Sequence, residues 1–191
     1  MKLHLGCGTI YLKDYINIDA APHYFADEAP SDILEQNITT IDKYYKHEFC
    51  KGSGVCIADQ KALIENLGSL YENVDEIVLL HVLEHFPVYK THEVLSVFYN
   101  LLKPNGKLYL AVPDLKETAK LLAAAETPEQ EDWAIRLIHG TQRNEFSHHY
   151  CGYTERTLKQ LLSNHGFGDF IILPNINFYP AVHIEAFKEQ I

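Results

Sequence analysis

A chain of 191 residues, 47% hydrophobic and 22% charged, is long enough for one domain with a sizeable core and too apolar to be disordered throughout. Its 26 acidic against 16 basic residues give a net charge of −10, a surface that repels phosphate backbones and argues against nucleic acid as a partner. Four widely spaced cysteines (Cys7, Cys50, Cys56, Cys151) without a Cys-x-x-Cys pair, no export signal and no apolar run of spanning length lead to the expectation of a reduced, cytoplasmic protein with no membrane segment.

Unbroken apolar runs end at Leu5, Ile18, Ala58, Leu80 and Val112, and such runs suit strands buried on both faces of a parallel sheet. Between the first two lies Gly6-Cys7-Gly8, and the second is followed by Asp19, only thirteen positions after Gly6. The segment 21–54 is the least regular. It holds an acidic Pro-containing loop, the aromatics Tyr44, Tyr45 and Phe49, and Gly52-Ser53-Gly54, and its Ser31-Asp-Ile-Leu competes with Val55–Ala58 as a third strand. We prefer Val55–Ala58, because Asp59 then falls at a strand tip. Residues 91–102 read as a helix with Val94, Phe98, Leu101 and Leu102 on one face, stopped by Pro104-Asn-Gly106. A second helix starts at Thr127-Pro128-Glu129-Gln130, with a cap, a first-turn proline and a capping-box Gln, and runs to Gly140. A third covers 154–165, closed by Gly166. The tail, Gly168–Leu173 and Ala181–Phe187, leaves no room for a crossover helix, so its two strands must be antiparallel. The fold class expected is α/β, a doubly wound, mostly parallel sheet with a C-terminal antiparallel hairpin, all in one domain over 1–191.

Ligands in open α/β sheets bind at the carboxyl ends of the strands. Those ends read, in order, Gly6-Cys7-Gly8, Asp19, Asp59-Gln60, His81-Val-Leu-Glu84-His85 and Pro113-Asp114. The series resembles the class I S-adenosylmethionine-dependent methyltransferases, and within them small proteins with a His-Val-Leu-Glu-His-Phe fourth motif. Leu3-His-Leu-Gly-Cys-Gly8 is similar to motif I, Tyr15-Ile-Asn-Ile-Asp19 to the second-strand acid, and Leu101-Leu-Lys-Pro-Asn-Gly106 to the turn into strand 5. The resemblance implies S-adenosylmethionine as cofactor, with Gly6, Cys7 and Gly8 along its methionine and ribose parts. It further implies Asp19 and neighbouring Ala20 at the ribose hydroxyls, Asp59 and Gln60 at the adenine, and His81 and Val82 on the sulfonium side. The short first spacing agrees. A dinucleotide carries a pyrophosphate that wants a helix N-terminus, the sulfonium cofactor does not, and the third glycine of Gly-x-Gly-x-x-Gly is replaced by Tyr11.

His81-Val-Leu-Glu84-His85 also matches, as letters, the His-x-x-Glu-His motif of inverzincin metallopeptidases. Placement of His81 directly after a strand, and of Pro87 two residues past His85, argues against the single helical face that chemistry needs. With His81 in place of a Glu, the segment further resembles the metal site of small-RNA 2′-O-methyltransferases. That likeness implies an alternative, a metal-assisted O-methyltransferase using His81, Glu84 and His85, completed by His139, His148 or His149. In the leading reading no metal is used, and His81 and His85 are the general-base candidates. Residues 139–153 follow the strand-5 crossover and supply a substrate wall. Arg143 is its candidate anion or hydroxyl clamp, His148 and His149 line it, and Tyr150 and Tyr153 offer a stacking surface. The expected activity is methyl transfer to a small-molecule or glycan-like acceptor. The rival from another class is a catalytically silent cofactor-binding or scaffolding module.

Overall fold

The computed structural model describes residues 1–46, 54–144, 146–175 and 177–189; Phe49, Cys50, Gly52 and Ser53 lie outside them. In chain order the elements are β1 (Lys2–Leu5), β2 (Tyr11–Leu12), β3 (Ile16–Asp19), β4 (Tyr24–Phe25), α1 (Ser31–Asn37), β5 (Ile38–Thr39), β6 (Ile57–Ala58), β7 (Gln60–Lys61), β8 (Val74–Leu80), α2 (Val88–Leu101), β9 (Leu102–Pro113), α3 (Leu115–Ala123), α4 (Pro128–His139), α5 (Glu155–Ser163), β10 (Phe167–Leu173) and β11 (Ala181–Lys188).

Seven strands form one sheet in the order β10-β11-β9-β8-β1-β3-β7. The pairs from β9 through β7 are parallel, whereas β11 runs antiparallel to β9 and β10 antiparallel to β11. This is the expected mostly parallel sheet with a terminal hairpin. Period-2 alternation splits the core between its faces. Leu3, Leu5, Ile77, Leu79, Leu108 and Leu110 join α2 (Val94, Leu95, Phe98) and α5 (Leu158, Leu162) in one cluster. Val78, Leu80, Tyr109 and Ala111 face the other way, onto Ile10, Leu12, Tyr15 and Tyr44. Phe98 is fully buried, and its truncation to alanine is expected to cost about 3–5 kcal/mol.

The helix signals act where the sequence put them. Thr127 Oγ1 accepts from Gln130 N and Pro128 takes the first turn, although the Gln130 side chain reaches back to Glu126 N instead of to the cap residue. Thr154 caps α5 in a capping box with Thr157. One expectation needs correction. The run ending at Ala58 does not enter the main sheet, because β6 pairs with β4 and the place beside β3 goes to the two residues of β7. The competing segment, Ser31-Asp-Ile-Leu, is the start of helix α1 and no strand at all. In addition, Asp114 accepts from Lys116 N and Glu117 N as the N-cap of α3, a helix not anticipated above.

Candidate active site

A cavity of about 810 Å³ opens over the carboxyl ends of β1, β3 and β8, within the range of about 300–1,000 Å³ usual for small-molecule sites. The chain leaves β1 through Gly6 at φ +62° and Gly8 at φ +54°, left-handed values that a Cβ disfavours. At Gly6 a Cβ would also lie 2.6 Å from Val82 Cγ2, whereas at Gly8 it would meet nothing within 4 Å. Gly6 therefore gives the turn close approach to the β8 tip, and Gly8 keeps it open. Asp19 ends β3 facing the same space. One carboxylate oxygen accepts from Gly8 N at 3.0 Å and the other from Ala21 N at 3.0 Å. An ionised carboxylate has about four acceptor positions, so roughly half of its capacity is left for a ligand. Ala20, His81, Val82, His85 and Tyr150 complete the set of expected residues that line the cavity.

No helix occupies the crossover from β1 to β3; buried Asn17 holds it instead. Asn17 Oδ1 accepts from Leu12 N at 2.8 Å and from His4 Nδ1 at 2.9 Å, while Nδ2 donates to Leu12 O at 3.0 Å. A helix N-terminus for pyrophosphate is thus missing at this turn. Asp59 belongs to the same brace: its carboxylate accepts from Asn17 N at 2.7 Å and from Tyr11 Oη at 2.6 Å. Gln60 accepts from Tyr71 Oη. Neither is among the cavity's lining residues, because both side chains are committed to holding the strand ends. Cys7 turns inward, 2% exposed, and donates to Ile57 O; its contact with Cys56 and its burial push the thiol up and keep it protonated.

The third part of the site is the segment after β8. His81 adopts φ +59°, Leu83–His85 make a single 3-10 turn, and Pro87 precedes α2. The two imidazoles are therefore not on one helical face, which removes the peptidase geometry. His81 Nδ1 lies 3.5 Å from a Glu84 carboxylate oxygen, its Nε2 is 3.2 Å from Asn177 Nδ2, and its ring meets Tyr179 edge-on. Glu84 is buried; burial alone raises its carboxyl, but His81 and His85 outweigh that and hold it below the usual range.

The loop after α4 is brought to the cavity only in part. Tyr150 lines it, and Tyr150 N and Cys151 N donate to Glu84 O at 2.8 and 3.2 Å, tying the loop to the β8 segment. His148 O accepts from His85 Nδ1 at 2.8 Å, and the His149 ring packs 4.9 Å from that of His85. His148 and His149 act on the wall from behind, since neither lines the cavity. Arg143 is exposed and not among the lining residues, and Tyr153 is buried under α3 with Leu115 N donating to its carbonyl. The rim instead uses Leu63, Phe86, Tyr89, Phe146 and the ion pair Lys90–Glu65. Exposed aromatics such as Tyr89 and Phe146 carry no pattern in sequence that separates a cavity rim from ordinary surface.

Glycine turn, strand-tip acid and cavity at the carboxyl ends of a mostly parallel sheet form the kind of cleft in which such folds bind small ligands, here without a helix N-terminus to take a pyrophosphate. A family model described as a methyltransferase domain matches residues 3–169, and the chain belongs to that family. Solved structures agree in fold. An S-adenosylmethionine-dependent methyltransferase of Methanosarcina mazei is 16% identical, with 100% of this chain and 92% of that one covered at a TM-score of 0.53. Human N-acetylserotonin methyltransferase in complex with S-adenosylmethionine is 14% identical over 99% of this chain and 47% of that one, at 0.54. Magnesium protoporphyrin IX methyltransferase of Synechocystis is 15% identical over 99% and 74%, at 0.52. The chain spans about half the length of the human protein and of two further matched structures (51% and 48%). A search of curated proteins by sequence finds no match.

Proposed function

We propose that this chain transfers a methyl group from S-adenosylmethionine to a small-molecule acceptor bearing an oxygen nucleophile. The observation that carries the reading is the pairing of Gly6–Gly8 with Asp19 at adjacent strand tips over one cavity, in a chain of the methyltransferase-domain family. Its cofactor is S-adenosylmethionine. Gly6, Gly8, Asp19 and Ala20 would hold the cofactor, Asp19 with the acceptor capacity its two backbone bonds leave over, and Val82 and His81 would close the sulfonium side. When bound, the cofactor supplies a methyl group already activated as an electrophile on a sulfonium.

The chain's own contribution is orientation, exclusion of water and acceptance of a proton. Phe86, Tyr89, Phe146 and Tyr150 offer apolar surface for the acceptor's body at the cavity rim, and fixing both reactants there converts a bimolecular reaction into an intramolecular one. His81 and His85 are the imidazoles on the wall that can take the acceptor's proton. The net charge of −10 and the absence of an unpaired lysine or arginine among the lining residues favour a small acceptor over nucleic acid. No helix among the described residues is long and apolar enough to cross a membrane.

Calorimetric titration with S-adenosylhomocysteine tests the reading. Saturable binding by the wild type, lost in Asp19→Ala, is expected, followed by methyl transfer in a panel of alcohols and phenols. Absence of heat in the wild type refutes it. Binding without turnover across the panel would favour the silent module instead.

A further inference from the structure

Glu84 is 1% exposed, and among the described residues neither of its carboxylate oxygens has a hydrogen-bond partner. An ionised carboxylate removed from water costs several kcal/mol unless it is paired and hydrogen-bonded. His81 Nδ1, 3.5 Å away, is too distant for a full hydrogen bond. Here is a buried anion with most of its acceptor capacity unspent.

Two imidazoles complete the surroundings. One donor atom from each of Glu84, His85 and His149 lies within 4.8 Å of the other two, and the two rings stand at 66° to each other. Each ring is fixed from behind by a main-chain carbonyl: His85 Nδ1 by His148 O at 2.8 Å, and His149 Nδ1 by Leu137 O at 3.0 Å. A carbonyl only accepts, so in the neutral form of each ring Nδ1 carries the hydrogen and Nε2 the lone pair. Imidazoles that bind metals are oriented in this way, with the far N–H on a carbonyl or carboxylate. Among the described residues the other close group of donors, Cys7, Asp19 and Cys56, lacks these features. Both Asp19 oxygens already accept backbone N–H bonds, and the Cys7 thiol donates to Ile57 O.

We propose that Glu84, His85 and His149 bind one divalent transition-metal ion, zinc by the nature of the donors, with a coordination position open to an oxygen of the acceptor. Two nitrogens and one carboxylate are a zinc-type set, poorer in oxygen than magnesium or calcium sites require. Bonds of about 2.0–2.2 Å would draw the donors to roughly 3.4 Å apart in a tetrahedral arrangement, a closure within reach of side-chain rotation. Three protein ligands leave a fourth position, and His85 places the ion in the cavity wall. An acceptor hydroxyl held on the ion would be made more acidic, as a bound water is, and with the His85 lone pair on the metal His81 would be the remaining imidazole able to take its proton. The acceptor half of this statement rests on the methyltransferase reading; the binding of the ion does not.

The test uses the full chain stripped with a chelator and reloaded. Calorimetry is expected to show uptake of one zinc ion per chain, and cobalt(II) to give the visible absorption of a four- or five-coordinate site. His149→Ala and Glu84→Gln should each weaken uptake at least tenfold, and His139→Ala, exposed at the end of α4, should leave it unchanged. If circular dichroism shows Glu84→Gln unfolded, His149→Ala on the loop carries the result. Lack of saturable uptake by the wild type, or uptake indifferent to the substitutions, overturns the proposal. S-adenosylhomocysteine is titrated in parallel into stripped and loaded protein. Its binding without zinc uptake sinks the ion site alone, whereas zinc uptake without it upholds the site and sinks the cofactor reading.

Discussion

Gly6→Ala perturbs the turn after β1 in two ways whose sizes are separable. The position has φ +62°, and a left-handed residue with a Cβ costs roughly 1–2 kcal/mol. The new methyl would also lie 2.6 Å from Val82 Cγ2 and 3.0 Å from Cγ1, an overpacking expected to add about 1–3 kcal/mol. The lower entropy of the unfolded alanine chain returns less than about 1 kcal/mol. The net expectation is a loss of roughly 2–4 kcal/mol in urea unfolding, together with weaker S-adenosylhomocysteine binding, because relief of the clash moves Val82 toward the cavity. Val82→Ala removes the clashing methyls, so the double variant should be about 1–3 kcal/mol more stable than the sum of the singles predicts. Gly8→Ala, with φ +54° and an empty neighbourhood, should show only the backbone cost and no coupling to Val82. A Gly6–Val82 cycle additive within about 0.5 kcal/mol, the range found for independent sites, would refute the close-approach argument.

Asp59→Ala strips a partner from Asn17 N and from Tyr11 Oη, and should cost about 1–3 kcal/mol in urea unfolding; an unchanged midpoint with weakened cofactor binding would return Asp59 to adenine recognition. Burial pushes His4 and His183 down from 6.5 to about 4. Between those values the unfolded chain binds protons that the folded one does not, so stability should fall by roughly 3–4 kcal/mol from about pH 7 to about pH 5, and a flat urea midpoint over that window would contradict it. Tyr150→Ala should raise the KM for an acceptor several-fold while leaving the affinity for S-adenosylhomocysteine unchanged, since Tyr150 lines the cavity with its side chain largely exposed. A reversed pattern would place Tyr150 on the cofactor side.

The long elements were legible because their signals are local. Apolar runs fixed β8 and β9, cap residues fixed the starts of α4 and α5, and the seven-residue link 174–180 forced β10 and β11 to be antiparallel. Gly6-x-Gly8 and Asp19 were legible for the same reason: turn chemistry and strand-tip position are set by a few adjacent residues. The short strands were not. Two-residue pairings such as β6 with β4 and β7 with β3 are chosen by whichever partner tertiary packing brings alongside, and Val55–Ala58 carries no mark of that choice.

The use made of each polar side chain was equally hidden. Asp59 and Asp19 look alike as acids after apolar runs, yet Asp59 turns back to Asn17 and Tyr11 while Asp19 faces the cavity. Glu84 and His85 are adjacent in the chain, but His149, sixty-four positions on, joins them only because the loop after α4 hydrogen-bonds to Glu84 O. The sequence alone determined the long strands, the terminal hairpin, the glycine turn and the lack of a helix behind it, since each depends on local backbone preference. Only the tertiary structure decided which polar groups meet at the cavity wall and behind it, because burial and donor geometry arise from contacts between distant segments.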